Sequence, residues 1–379
     1  MRARPRVLIA GPQAPPAGGI ASVIDMIFAS ALGDRFELLR FATTPTRAPA
    51  CSRLVRTLDA VIARSLGFDG FVNRESRAKL RAFASALAPA PDLVHLHCWH
   101  GYDFWLSACM AREAQRQRVP AILHLHGNFD VLYPQWSPAR KIGFRRALGI
   151  ADRLIVLSEG WRRWFAAHRS DACIEVVRNG VDVSRFHPQP RSAARDVVRL
   201  LFVGTRHATL KGAHDILAVI PEVLRETPRV RFVFVGEDSE RIEERCVRGT
   251  PLAADCEFAG WKNPEEIAAY YADADVLLLP SQMEASPMAL LEAMAAGLPV
   301  VASAVGAIPE ILIPPDNGIL IKAGDRAALA SAILTLLRDA ALRRQIGRCN
   351  RAKAEAELGV AAFAASLGRV YDDVLARAA

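Results

Sequence analysis

Twelve short apolar runs, rich in β-branched residues, punctuate this chain, and a longer amphipathic segment separates most of them. In order they read RVLIA, FELLRF, DLVHLH, AILHLH, RLIVLS and IEVVRN, then RLLFVG, VRFVFVG, CEFAG, DVLLLP, PVVAS and GILI. Near-continuous apolar strands are buried on both faces, and long amphipathic connections supply crossover helices, so the pattern predicts α/β architecture with parallel sheets. Six runs suffice for one doubly wound sheet, and 379 residues suit two domains of roughly 150–200 each. The Pro-containing stretch FHPQPRSAARD, 186–196, lies between the two sets and places the boundary near residue 183. Ligands of such sheets bind outside the carboxyl ends of the strands, so two facing domains would enclose a cleft lined by those loops.

Composition removes other classes. With 51% apolar and 23% charged residues and no low-complexity tract, the chain folds. No apolar run approaches the roughly 20 residues of a spanning helix. The start, MRARPRVLIAGPQ, holds an apolar stretch of only VLIA, too short for a signal-peptide core, and the seven cysteines are scattered without CxxC pairing. The expected location is cytoplasmic. Charge is uneven: residues 1–165 carry 23 Lys+Arg against 12 Asp+Glu, net +11, which leaves 25 against 28, net −3, for the remainder. The basic groups are Arg53, Arg56 and Arg64; Arg74, Arg77, Lys79 and Arg81; and Arg140, Lys141, Arg145 and Arg146. They suit an anionic membrane surface or a pyrophosphate-bearing lipid, or else form solvated helix faces. No nucleic-acid-binding signature accompanies them, so nucleic acid is not an expected partner.

Three loops carry candidate chemistry. RVLIA runs into GPQAPPAGG ahead of the helical IASVIDMIFASAL, so Gly18 and Gly19 precede a helix N-terminus where backbone N–H groups can approach a phosphate. RLLFVG is followed by TRHATLKGAHDILAVI, in which Arg206 and Lys211 can place two cations over a diphosphate, although the spacing is not that of a P-loop. The most specific segment is PSQMEASPMALLEAMAAGLPVVAS. It predicts a loop with Glu284, a helix from about Pro287 carrying Glu292 and ended by Gly297 and Pro299, and then a buried strand. Both carboxylates can face one pocket, with free N–H groups near Ala285 to Ala289.

The segment Pro280 to Ser303 resembles the E-x7-E signature of retaining GT-B glycosyltransferases, most closely glycosyltransferase family 4. GPQAPPAGGI, HLHG (124–127), VLSEG (156–160), VVRNGVDVSRFHP (176–188), FVGTRHATLKG (202–212), FVFVGE (232–237), FAGW (258–261) and GAIPEI (306–311) agree in the same order. The sequence departs from the family's common pattern at Ala285, where Gly is frequent, and in placing Arg206 two residues after Gly204. The resemblance implies a GT-B fold of two Rossmann-like domains, 1–183 for the acceptor and 184–359 for the donor, with a C-terminal helix of about 360–379 completing the first. It further implies that Arg206 and Lys211 hold the donor diphosphate, Glu292 binds the ribose, and Glu284 with the backbone of Ser286, Pro287, Met288 and Ala289 contacts the transferred sugar. His126 would face that sugar, and Gly19 the phosphates. The implied donor is a nucleotide-diphosphate sugar such as a UDP- or GDP-sugar, with no metal or other cofactor. A lipid-linked sugar or polysaccharide is the expected acceptor.

Five of nine histidines fall between 95 and 126. His95 with His97, and His124 with His126, share strand faces and are expected at strand ends facing the cleft; no carboxylate or cysteine completes a zinc set. Asp273-Ala-Asp275 lies in a helix-to-strand turn and is expected to cap. The rival functions are an inverting transferase with His126 or another cleft residue as base, a two-domain binding protein, and a non-catalytic scaffold subunit.

Overall fold

The computed structural model describes residues 4–13, 18–43, 74–189, 197–204 and 208–378; Arg206, Arg53, Arg56 and Arg64 lie outside them. The chain forms two units, Met1–Asn179 with Phe363–Ala379, and Gly180–Ala362. All twelve apolar runs form strands, in two six-stranded parallel sheets.

In the first unit, β1 (Arg6–Gly11), β2 (Glu37–Ala42), β3 (Leu93–Cys98), β4 (Ala121–Leu125), β5 (Arg153–Val156) and β6 (Ile174–Val176) are ordered β2-β1-β3-β4-β5-β6. Every residue of β3 and β4 is buried, which accounts for runs such as AILHL lacking a polar alternate face. The order reverses beside β1, so the crevice of this sheet opens where β1 and β3 end. The last helix, Val360–Ala378, contributes to this unit from Phe363 onward: Tyr371 is fully buried and meets Phe36 edge-on at 5.3 Å.

In the second unit, β7 (Val198–Val203), β8 (Val230–Val235), β9 (Cys256–Gly260), β10 (Val276–Leu279), β11 (Val300–Ser303) and β12 (Gly318–Ile321) are ordered β12-β11-β10-β7-β8-β9. The period of two sorts each strand onto two cores. Leu200, Phe202, Phe232, Phe234, Val276 and Leu278 pack under the helices Ala213–Glu226 and Arg326–Arg338. Leu201, Val233, Leu277 and Leu279 pack under the helix Met288–Ala295 through Leu290, Leu291 and Met294. Here the order reverses between β7 and β10, and their carboxyl ends define the crevice.

The sequence places the boundary near residue 183; the chain divides after Asn179 because Val181 already belongs to the second unit. Its N–H donates to Leu358 O at 2.8 Å and its carbonyl accepts from Val360 N at 3.2 Å. Asp273 and Asp275, expected to cap, both bind Arg199 of β7. Asp275 exchanges backbone bonds with β7, its N–H donating to Arg199 O and its carboxylate accepting the Arg199 N–H, each at 2.8 Å. Asp273 pairs with Arg199 Nε at 2.8 Å. Both acids therefore tie the end of helix Pro264–Asp273 to the neighbouring strand.

Candidate active site

The crevice of the second unit brings together the loops that follow β7 and β10. Lys211 comes from the first, Glu284 from the second, and Lys211 Nζ lies 2.5 Å from Glu284 Oε1. Ser281 Oγ donates to the same carboxylate oxygen at 2.8 Å, and the Glu284 side chain is only 6% exposed. The loops are fastened by Gln282 N–H donating to Leu210 O at 2.8 Å and by Gln282 Nε2 donating to Asp215 at 2.8 Å. Gly212 permits this approach: its φ is +86°, and a Cβ there would stand 2.2 Å from Pro280 O. Gly306 does the same from behind, with φ +56° and a Cβ position 2.0 Å from Glu284 O, while Ala307 N–H donates to Ala285 O at 2.8 Å. GAIPEI is thus the backing of the Glu284 loop.

The helix Met288–Ala295 begins directly after this loop, with Pro287 as its N-cap. The N–H groups of Met288 and Ala289 lie ahead of Leu290, whose N–H donates to Pro287 O at 3.1 Å, and as first-turn donors they have no acceptor within the helix. Pro287 has no N–H, so the expected row of amide donors from Ser286 to Ala289 is interrupted there. Glu292, in the second turn, has a different partner from Glu284: its Oε2 accepts from Tyr271 Oη at 2.7 Å. Loss of solvent raises the Glu292 carboxyl above the ordinary range, while the Tyr271 hydroxyl and Arg185 pull it down. Tyr271 is itself fully buried in the core.

That balance has a measurable consequence. The folded state holds a proton on Glu292 at pH values where the unfolded chain has released it, so this group's contribution to stability is present at low pH and lost as pH rises through the folded value. Glu292→Gln replaces the carboxyl group by a neutral amide and keeps an oxygen for Tyr271. Its melting temperature is expected to equal or exceed that of the parent, whereas KM for the donor rises roughly tenfold. A large loss of Tm with unchanged KM would mark Glu292 as structural.

In the first unit Gly19 opens the helix Gly19–Ala29 and Gly18 caps it. Gly18 has extended backbone with φ −161°, and a Cβ there would meet nothing within 4 Å, so the local fold does not require glycine. His126 follows β4 and is anchored by its N–H donating to Cys98 O at 2.9 Å. Its Nε2 lies 2.9 Å from His97 Nδ1, and burial lowers it to a pKa of about 3, so the ring is neutral at physiological pH.

Three neighbouring histidines are buried within the first unit. His95, His97 and His124 are 0–1% exposed and form an internal ladder because β3 and β4 pair His97 with His124 in register. His95 Nδ1 meets Tyr371 Oη at 2.7 Å and His95 Nε2 meets His124 Nδ1 at 3.2 Å. One nitrogen from each of these three histidines falls within 4.8 Å of the others. Both nitrogens of His95 are already engaged, only His97 Nε2 and His124 Nε2 of the three rings are without partners, and no carboxylate or thiolate among the described residues joins the group. A closed four-ligand metal set does not fit these residues.

Tyr271, Ser281, His97 and Tyr371 escape sequence reasoning as partners of site residues. Tyr271 and Tyr371 read as core helix residues and are placed by how their helices pack on the sheets, His97 reads on a strand face and reaches His126 through the pairing of β3 with β4, and Ser281 lies only three residues before Glu284 on one loop.

A cation paired with a buried carboxylate, beside a helix N-terminus at the crevice of a doubly wound sheet, suits group transfer with an anionic leaving group. Comparison with known proteins makes the class specific. Residues 17–185 match the model of Glycosyltransferase Family 4 and residues 197–339 that of Glycosyl transferases group 1. The D-inositol 3-phosphate glycosyltransferase of Streptomyces bingchenggensis is 30% identical over 359 residues, covering 84% of this chain and 76% of that one. A GDP-mannose-dependent monoacylated alpha-(1-6)-phosphatidylinositol monomannoside mannosyltransferase of Corynebacterium glutamicum is 27% identical over 305 residues, 72% of this chain and 78% of that one. Sucrose-phosphate synthase from Thermosynechococcus elongatus shares the fold, with a TM-score of 0.79 at 22% identity, covering 99% of this chain and all of that one. The fold is therefore the two-domain GT-B type, and the protein is a glycosyltransferase. The chain belongs to glycosyltransferase family 4.

Proposed function

We propose that this enzyme moves a hexose, with retention of anomeric configuration and without a divalent metal, from a nucleotide-diphosphate sugar to a lipid-linked sugar or polysaccharide at the cytoplasmic face of a membrane. The observation that carries this reading is the Lys211–Glu284 pair beside the N-terminus of the helix Met288–Ala295, whose first N–H groups have no acceptor within the helix. Lys211, with Arg206, and the helix end offer positive charge to a departing diphosphate, and Glu284 offers negative charge to a sugar carbon that becomes oxocarbenium-like. In the step proposed, the bond from C1 to the diphosphate oxygen breaks with its electron pair going to that oxygen. The acceptor hydroxyl bonds to C1 from the same face, and its proton passes to the departing diphosphate. Glu292 takes the ribose, and Gly18 and Gly19 leave backbone room for the phosphates.

The neutral His126 favours retention over inversion. A general base is effective with a pKa near the working pH, and an imidazole at about 3 is far from it. His126 serves in this reading as a hydrogen-bond partner of the sugar. Thermal-shift measurements with UDP, GDP, ADP and their sugar conjugates test the donor class, since ligands of the native state raise Tm. One nucleotide sugar is expected to raise Tm well above the others; no shift with any of them rejects the reading. Turnover with that donor is expected to be unchanged by EDTA. Reversible loss of all activity in chelator would show that a metal takes the role given to Lys211.

The membrane part of the reading rests on the helix Pro138–Leu148. There Ile142 is 47% exposed between exposed Arg145 and Arg146 on one side and Arg140 and Lys141 on the other, the last two stacked over Trp136 and Tyr133. Lys79 contributes less than its sequence position suggests, being paired with Glu75 at 2.7 Å and only 13% exposed. No helix among the described residues is long and apolar enough to cross a membrane. Adsorption is therefore electrostatic in this reading, at about 1 kcal/mol per basic residue near the surface, and is screened by salt. Sedimentation with anionic vesicles is expected at low salt and not at high salt. Indifference to anionic vesicles at low salt would shift the acceptor to a soluble molecule.

A further inference from the structure

A second basic site lies in the Gly180–Ala362 unit, at the other end of the Met288–Ala295 helix from Glu284. A cavity of about 430 Å³ opens there, floored by Ala296, Gly297 and Gly347 and walled by Arg343, Arg344, Arg348 and Arg351, with Glu355, the ion-pair partner of Arg351, as the acidic residue of the lining. The helix that carries these arginines, Ala340–Lys353, contains no acidic residue; Asp339 precedes it as N-cap and Glu355 follows it. Arg351 and Arg343 are committed to structure. Arg351 donates to Val183 O, Phe186 O and Ala295 O and pairs with Glu355, and Arg343 donates to Leu336 O and Leu337 O.

Arg344 and Arg348 are different. Both are exposed, and no hydrogen bond or ion pair reaches either one among the described residues. They stand at i and i+4, where like charges repel and destabilise a helix. The scaffold beneath them is fixed. A Cβ at Gly347 would stand 2.2 Å from Gly297 O, so helix and loop meet backbone to backbone. The fully buried Asn350 binds Leu298 O at 2.7 Å and Asn317 O at 2.9 Å. Two unpaired guanidinium groups are thus held in mutual repulsion on a rigid wall over a cavity large enough for a monosaccharide-sized ligand. An anion between them turns that repulsion into attraction, and the planar guanidinium matches the oxygens of a phosphate.

We propose that this cavity is an anion site separate from the nucleotide-sugar site, that it takes a phosphate monoester, and that Arg344 and Arg348 supply its contacts. Calorimetric titration of inorganic phosphate into the full chain tests it, using the parent, the Arg344→Ala/Arg348→Ala double variant and Lys211→Ala. The double variant is expected to lose at least tenfold in phosphate affinity, with a Tm in buffer no lower than the parent's because only exposed, mutually repelling groups are removed. Lys211→Ala is expected to change that affinity less than twofold. Phosphatidylcholine vesicles containing phosphatidic acid, or phosphatidylglycerol at equal charge, identify the source of the phosphate. A preference for phosphatidic acid that disappears in the double variant assigns a lipid headgroup, and no preference assigns a soluble ester. Absence of phosphate binding to the parent, or equal binding by parent and double variant, overturns the proposal.

Discussion

Lys211→Ala is expected to reduce affinity for the donor by roughly 10- to 150-fold, the loss that follows removal of a charged hydrogen-bond partner worth about 1.5–3 kcal/mol. Binding of the nucleoside without its diphosphate should change little. The same substitution leaves Glu284 buried with Ser281 as its remaining side-chain donor among the described residues. A buried carboxylate stripped of its cation destabilises the fold, and a fall in Tm on the order of 5 °C is expected. Calorimetry with the nucleotide sugar and with the nucleoside, beside a melting curve, separates the two effects. Adding Glu284→Gln to Lys211→Ala should restore much of the Tm and none of the activity, because the two residues share one interaction. Equal small losses for both ligands with an unchanged Tm would show that Lys211 is an ordinary loop cation.

Glu284→Gln is expected to lower kcat by about 10²–10³ with a much smaller change in donor KM. In the proposed step positive charge grows at the sugar carbon only as the bond to the diphosphate breaks, so a carboxylate beside that carbon would be worth more in the transition state than in the ground state. The glutamine remains able to accept from Ser281 Oγ. Its effect on folding is therefore modest, and kinetics at saturating donor report chemistry. A change confined to KM would remove Glu284 from the chemistry while leaving the family membership intact.

The strands were legible because a parallel strand covered on both faces must be apolar along its length. β3, β4 and β10 are buried at every residue and stand out in the sequence as DLVHLH, AILHLH and DVLLLP. The Glu292 helix was legible for a local reason too, since Pro287 and Gly297 bracket it. What the sequence could not give was pairing across topology. Lys211 and Glu284 are 73 residues apart and meet because β7 lies beside β10 at the reversal of strand order. Glu292 meets Tyr271 only because the helices bearing them share one core beneath the sheet. The histidines misled for the same reason: their spacing gives the strand face, but burial and the His97–His124 register decide that they form an internal ladder. Asp273 and Asp275 looked like local caps, and the strand they bind, β7, lies more than seventy residues earlier.

The stereochemistry of the product tests the central claim most directly. With the donor identified by thermal shift and supplied in its α configuration, the anomeric proton coupling of the newly formed glycoside is read by NMR. The account predicts an α linkage, because in the proposed step the departing diphosphate and the incoming hydroxyl use one face of the sugar, and burial, which lowers His126 to a pKa of about 3, makes that ring a weak base for inversion. A β linkage would contradict it and would return His126, or another group of the first unit, to the role of general base.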